Sequence, residues 1–200
     1  MKRLAVLFIV LSGLLRADEL PKAAAGFTWQ EFPKACVALQ VPDGWHWREK
    51  DNHPAQTVTI APEFDDRGGY DTGFTLNAVV CRTEKEWKDA YFSSLQLWSD
   101  TAKEIKASGK PTFEKTIQQK NKAGEIAMQV FIIEGDVILP NAPHPKEKYR
   151  VRTIVRAIPP AGLVYVYTIG ALGKDWDAAW KIGGTMLEPI VFRLPDEKKG

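Results

Sequence analysis

Asp65, Asp66 and Asp71 crowd one glycine-bearing loop, Glu63-Phe64-Asp65-Asp66-Arg67-Gly68-Gly69-Tyr70-Asp71. They would offer hard oxygen ligands to Ca²⁺, and the glycines would let backbone carbonyls turn inward. The spacing fits no EF-hand and Arg67 sits inside the cluster, so the alternative is a solvated loop with no cofactor. A second group is cationic. Arg150, Arg152 and Arg156 share one face of a strand, because alternate residues point the same way, and Lys146 and Lys148 extend the charge. Guanidinium forks bind oxyanions bidentately, which makes this the candidate surface for a protein partner. Pairing with cross-strand acids such as Glu125 or Glu134, or solvation, is the alternative. Trp45 and Trp47 flank His46 beside a turn and would suit an apolar or sugar ligand in a groove, or else cover the edge of a core.

Other reactive types lack partners at useful spacing. His46, His53 and His144 lie in separate loops with no metal-ligand spacing. Ser93, Ser94 and Ser99 fall within a helical pattern, where a strained nucleophile elbow is not expected. Gly68-Gly69 and Gly183-Gly184 match neither a phosphate loop nor a dinucleotide fingerprint. The residues point to a domain that binds and does not catalyse.

The first seventeen residues are a separate object. Lys2 and Arg3 precede an apolar run over 4–15, and Ala17 stands before Asp18-Glu19. This is the pattern of a cleaved secretory signal over 1–17, too short to span a bilayer as a stable helix, with an uncleaved anchor as the alternative. A soluble exported protein, periplasmic or extracellular, is expected, with no membrane span after cleavage. Cleavage removes Lys2, Arg3 and Arg16 and no acid, so the formal +2 of the 200-residue chain becomes −1. A near-neutral domain has no electrostatic case for nucleic acid. Cys36 and Cys81 would meet an oxidising compartment. The expected strand order sets them at opposite ends of the sheet, so two buried free thiols are expected, with a disulfide as the alternative.

The elements that position these residues are mostly strands. After a lead-in over 18–26, residues 27–195 read as one domain and 196–200 as a tail. Val37, Leu39 and Val41 alternate with Ala38 and Gln40, the period of a strand with one buried face. Pro42-Asp43-Gly44 is turn chemistry, with Trp45 just beyond. Residues 48–54 read as a polar surface loop. Strands follow at 57–60 and 74–80. Thr83 and Glu86 form a capping box for a helix over 84–107, whose Trp87, Tyr91, Leu95, Trp98, Ala102 and Ile105 make one apolar stripe. Hairpins are predicted at 113–118 with 125–134, and at 149–158 with 163–170, separated by an irregular proline-bearing loop over 137–146. A last helix over 175–187 carries Trp176, Trp180 and Gly183 on one face. Short turns force antiparallel neighbours. The expected class is α+β: an antiparallel twisted sheet of about six strands with helices on both faces, an α/β/α sandwich.

A strand ending in Val41-Pro42-Asp43-Gly44-Trp45, then a strand pair, a long aromatic-striped helix, two hairpins and a Trp-bearing terminal helix make up this order. The chain so resembles the PsbP-like group, which includes extrinsic subunits of photosystem II, a Ran-binding protein of the Mog type and bacterial secreted proteins. The resemblance spans about residues 27–192. It implies an antiparallel sheet sandwiched by helices and a role in binding or assembly, with an unidentified protein partner.

Overall fold

The structure is a computed structural model that describes residues 20–52, 54–140, 142–187 and 189–192. The signal expected at 1–17 and the tail expected at 196–200 lie outside the described residues. In chain order the elements are β1 (Phe27–Phe32), β2 (Val37–Pro42), β3 (His46–Asn52), β4 (Ala55–Ala61), β5 (Thr72–Val80), α1 (Glu84–Ser108), β6 (Phe113–Lys120), β7 (Ile126–Ile138), β8 (Lys148–Ile158), β9 (Leu163–Leu172), α2 (Trp176–Leu187) and β10 (Val191–Phe192).

Runs such as Thr57-Val58-Thr59-Ile60 and Phe74-Thr75-Leu76-Asn77-Ala78 bury every second residue and so become strands with one apolar face. They join a seven-stranded antiparallel sheet in the order β3-β4-β5-β9-β8-β7-β6. A separate sheet, β1-β2-β10, lies on one side of it, and its Phe32, Val37, Leu39 and Val41 share a core with Phe74, Leu76, Tyr165 and Tyr167. Trp176, Ala179 and Met186 of α2 complete that layer. The other side carries α1, which packs over β7, β8 and β9. Its stripe, Trp87, Tyr91, Trp98, Ala102 and Ile105, meets Phe131, Ile133, Val155 and Val166.

The class is α+β as expected, but the layers differ from a single sheet of about six strands. The N-terminal strands form their own small sheet, so one outer layer is part strand and part helix. β2 is therefore buried on both faces, not one. It is the middle strand of its sheet, and Gln40 on its second face accepts a hydrogen bond from the Ala24 amide at 2.9 Å. Trp29, opposite Gln40, donates its indole N–H to the Pro21 carbonyl at 2.6 Å, which lays the lead-in over that face. Residues 48–52, read from sequence as a loop, belong to β3. Every residue of β3 is exposed, so it shows no apolar alternation, and only pairing with β4 defines it. β7 runs through Val137 and Ile138, so the irregular loop begins at Leu139.

Two glycines set how close the helices come. A methyl on Gly135 of β7 would overlap Ile105 of α1, and one on Gly183 of α2 would overlap Ile169 of β9. The helix continues through Gly183-Gly184 to Leu187, so Gly183 admits the sheet and neither glycine ends the helix. Gly184 faces open space. Gly183→Ala should therefore cost about 1–3 kcal/mol by overpacking. Gly184→Ala should stabilise by about 0.4–1 kcal/mol through the unfolded chain. Urea unfolding of both variants checks the contrast; equal effects would refute the close approach.

Candidate functional site

The arginine face is formed as expected, since Arg150, Arg152 and Arg156 all project from one face of β8, but two of the three are already paired. Arg152 donates from Nε to Glu134 at 2.6 Å and from its terminal nitrogen to the same carboxylate. Its guanidinium lies 3.7 Å from the Trp180 ring centroid and 5.2 Å from that of Phe113. Glu134, 7% exposed, also accepts from the Thr112 hydroxyl at 2.9 Å. Arg150 donates to Asp136 at 2.7 Å. Register decides this: Glu134 faces Arg152 and Asp136 faces Arg150 across β7 and β8. Arg156 faces Val130 and Tyr165 instead, and its buried Nε has no partner. Of the lysines expected to extend this face, Lys146 lies in the 139–147 loop and Lys148 opens β8, both exposed.

The acidic loop is organised by its own backbone. The Asp65 carboxylate accepts from the amides of Arg67 at 2.9 Å and Gly69 at 2.6 Å. Asp71 looks the other way, accepting from the Tyr149 hydroxyl at 2.8 Å and lying 3.2 Å from His144 Nε2. That contact ties the loop to the 139–147 loop. Burial, then the Asp71 bond, pushes the Tyr149 phenol up to about 12. Asp66 stays exposed. Among the described residues no group of three or more His, Cys, Asp or Glu side chains is placed to hold a metal ion, so Asp65, Asp66 and Asp71 are not gathered into a ligand set. Nor is any described helix long and apolar enough to cross a membrane.

Trp45 and Trp47 flank His46, yet each packs downward. Trp45 joins the core beside Gly183 and Met186, and Trp47, 43% exposed, meets Phe32 edge-on at 6.4 Å. Both cover the sheet edge.

The open space lies elsewhere. Two cavities of about 970 and 870 Å³ share Lys34, Val80 and Arg82 and run along the N-terminal half of α1. Two similar turns build one end. Pro33-Lys34-Ala35 is a 3₁₀ turn closed by Cys36 at φ +52°, and Pro159-Pro160-Ala161 is one closed by Gly162 at φ +60°. Proline pre-sets φ for each turn. Cys36 is the one non-glycine in the left-handed region among the described residues. Gly162 also lets the turn approach β5: its carbonyl accepts from the Cys81 amide at 2.7 Å, and a Cβ there would lie 2.5 Å from the Cys81 carbonyl. Cys36 and Cys81 are free thiols. They do not sit at opposite ends of a sheet, for both line the larger cavity. The connection after β5 runs directly beneath the turn before β2. Burial raises both thiols, Cys81 to about 11 with the Glu86 carboxylate adding to the effect.

The second cavity has α1 as its wall and β4, β5 and β9 as its floor, where Ala55, Val79 and Val166 are apolar and Asn77 is polar. Asn52 donates to the Thr57 hydroxyl at 3.0 Å, which donates to Asn77 Oδ1 at 2.7 Å. This relay leaves the Asn77 NH₂ free to donate. Ser94 on the wall is 7% exposed. Sequence reasoning missed Lys34, Arg82, Asn77 and Ser94 because four separate segments supply them. The one available signal was Ser94, a polar residue inside the apolar stripe of α1.

No protein-family model matches the chain, and no curated protein sequence does. Solved structures do. A solution structure of cyanobacterial PsbP from Synechocystis sp. PCC 6803 aligns over 85% of this chain and 94% of its own, with 9% identity and a TM-score of 0.47. The likeness is one of fold. A crystal structure from Bacteroides thetaiotaomicron VPI-5482 aligns over 84% of this chain at 9% identity and TM-score 0.47, and the chain spans 49% of its length. The Ran-binding protein Mog1p of Saccharomyces cerevisiae aligns over 83% of this chain and 95% of its own, at 9% identity and TM-score 0.41. PsbP and a Ran-binding protein are the two kinds that the sequence resemblance named.

Arg152→Met should cost about 3 kcal/mol, because it strands the buried Glu134 charge. Arg156→Met should cost at most about 1 kcal/mol, since it removes an unpaired buried Nε. Denaturant melts compare them, and equal losses would refute the pairing as the cause. At pH 8, Cys81 should hold roughly a hundredfold less thiolate than an open cysteine. Its iodoacetamide alkylation should be correspondingly slow and should accelerate up to about pH 11. Rapid alkylation at pH 8 would contradict its burial.

Proposed function

We propose that the protein is an exported, non-catalytic domain that binds a protein partner through an extended segment seated along α1. The observation that carries this reading is the groove itself. It is open to solvent along its length, has a floor of small apolar side chains, and is edged by both donors and acceptors, among them Asn77, Ser93 and Asp89. A peptide backbone needs that mixture, since each residue brings one N–H and one C=O. Export rests on the leader pattern over residues 2–17. The arginine face of β8 is a secondary contact, reduced to Arg156 because Arg150 and Arg152 are held by carboxylates.

A benzoylphenylalanine photocrosslinker at Ser93 of the full chain, expressed in its own cell, should yield an adduct with a discrete polypeptide. The same group at Lys103, on the exposed side of α1, should yield none. An adduct from Arg156 alone would move the contact to the arginine face. Identical results at Ser93 and Lys103, or no adduct at either, would overturn the groove.

A further inference from the structure

We infer that β6 is a self-association edge, through which two copies of the chain join antiparallel about a twofold axis at Ile117. This surface is separate from the groove, which lies over the other half of the sheet. β6 closes one end of the seven-stranded sheet, and among the described residues it pairs with β7 alone. Its outer backbone donors and acceptors face water, and such a row is a template for another strand. Natural edges are commonly blunted by proline, by a bulge or by being very short. β6 is eight residues long without proline, and the irregularity beside Gln119 falls at Ala127 of β7, which the ladder skips. Its charges are the remaining safeguard, and their order admits a second copy of the same strand.

Residues opposite each other in a strand pair point to the same face, so a twofold pairing matches each position with one an even number of places away. With the axis at Ile117, Ile117 meets its own copy, Thr116 meets Gln118, Lys115 meets Gln119 and Glu114 meets Lys120. Symmetry forms the Glu114–Lys120 pair twice, and no like charges meet. Centred on Glu114, Lys115 or Lys120, the strand sets like charges together. Centred on Thr116, Gln118 or Gln119, it forms no opposite-charge pair within its length. The other edge of the sheet behaves differently. In β3, Arg48 and Lys50 share one face and Glu49 and Asp51 the other, so registers centred on residues 48 to 51 all oppose like charges. Glu114 lies 3.7 Å from Lys106 with both side chains about half exposed, a contact worth little in water. The apolar row agrees with the same axis: Ile117 pairs with buried Val130, and a second Ile117 would cover its open side. The facing residues 114–120 span about 24 Å, a small contact that suits a weak, concentration-dependent dimer.

Sedimentation equilibrium of the full chain, from micromolar to millimolar concentration, should show monomer converting to dimer. Glu114→Lys and Lys120→Glu should each weaken the dimer about tenfold, because two symmetric pairs turn from attractive to repulsive. The combined Glu114→Lys/Lys120→Glu variant should regain it. Ile117→Cys should link two copies through a disulfide on mild oxidation, since a residue at the axis faces itself at close range. Gln119→Cys should not, and the unsubstituted chain controls for the native thiols. A monomer at every concentration, or a dimer indifferent to the single charge reversals, would overturn the proposal. So would failure of the combined variant to recover, or linkage at Gln119 in place of Ile117. Species that grow beyond a dimer would overturn it in favour of open-ended pairing of β6 with β3 of the next copy.

Discussion

β9 has no face free for water. Tyr165, Tyr167 and Ile169 point into the layer formed by α2 and the small sheet, and Val164 and Val166 point under α1. On the first side the aromatic rings stack, Tyr165 on Tyr167 at 6.2 Å and Tyr165 against Phe192 at 4.6 Å. Both hydroxyls are buried without a partner. Each orphaned hydroxyl costs free energy, and the apolar area of the two rings offsets it. The same burial pushes the Tyr167 phenol up to about 12. A strand covered on both sides has to be central, so β5 and β8 pair with it and the remaining strands build outward.

Charge is handled by register. The face of β8 that would otherwise bury cations toward α2 sets Arg152 and Arg150 directly opposite Glu134 and Asp136. A buried charge is tolerated only when paired and hydrogen-bonded. Trp180 and Phe113 then stack on Arg152, so the ion pair fixes α2 against this half of the sheet. A cluster that reads as a partner surface in sequence is largely internal adhesive.

The groove is a consequence of width. Seven strands at about 4.8 Å spacing span roughly 30 Å, whereas a helix with its side chains is about 10–12 Å across. One helix covers about three strands, and α1 takes β7, β8 and β9. The uncovered β4–β5 strip presents Thr57, Thr59, Thr75 and Asn77, residues that remain stable in contact with water. The helix edge and this polar strip enclose the space, and the turn carrying Lys34 closes its end.

Sequence alone determined the α+β class, the positions of most strands, and the capped helix with its aromatic stripe. Each is a local signal, such as period two, period 3.6, a capping box or a turn tetrad, and local signals survive without knowledge of the rest of the chain. β3 escaped because an exposed edge strand has no apolar period. β2 was legible as a strand, but its second buried face was not, because that cover comes from the lead-in. The site was tertiary throughout. Only register shows that Glu134 and Asp136 neutralise the arginines, and only chain crossing brings Cys36 beside Cys81. Lys34, Arg82, Asn77 and Ser94 meet because the sheet is wider than the helix that lies on it, a mismatch of dimensions that no stretch of sequence records.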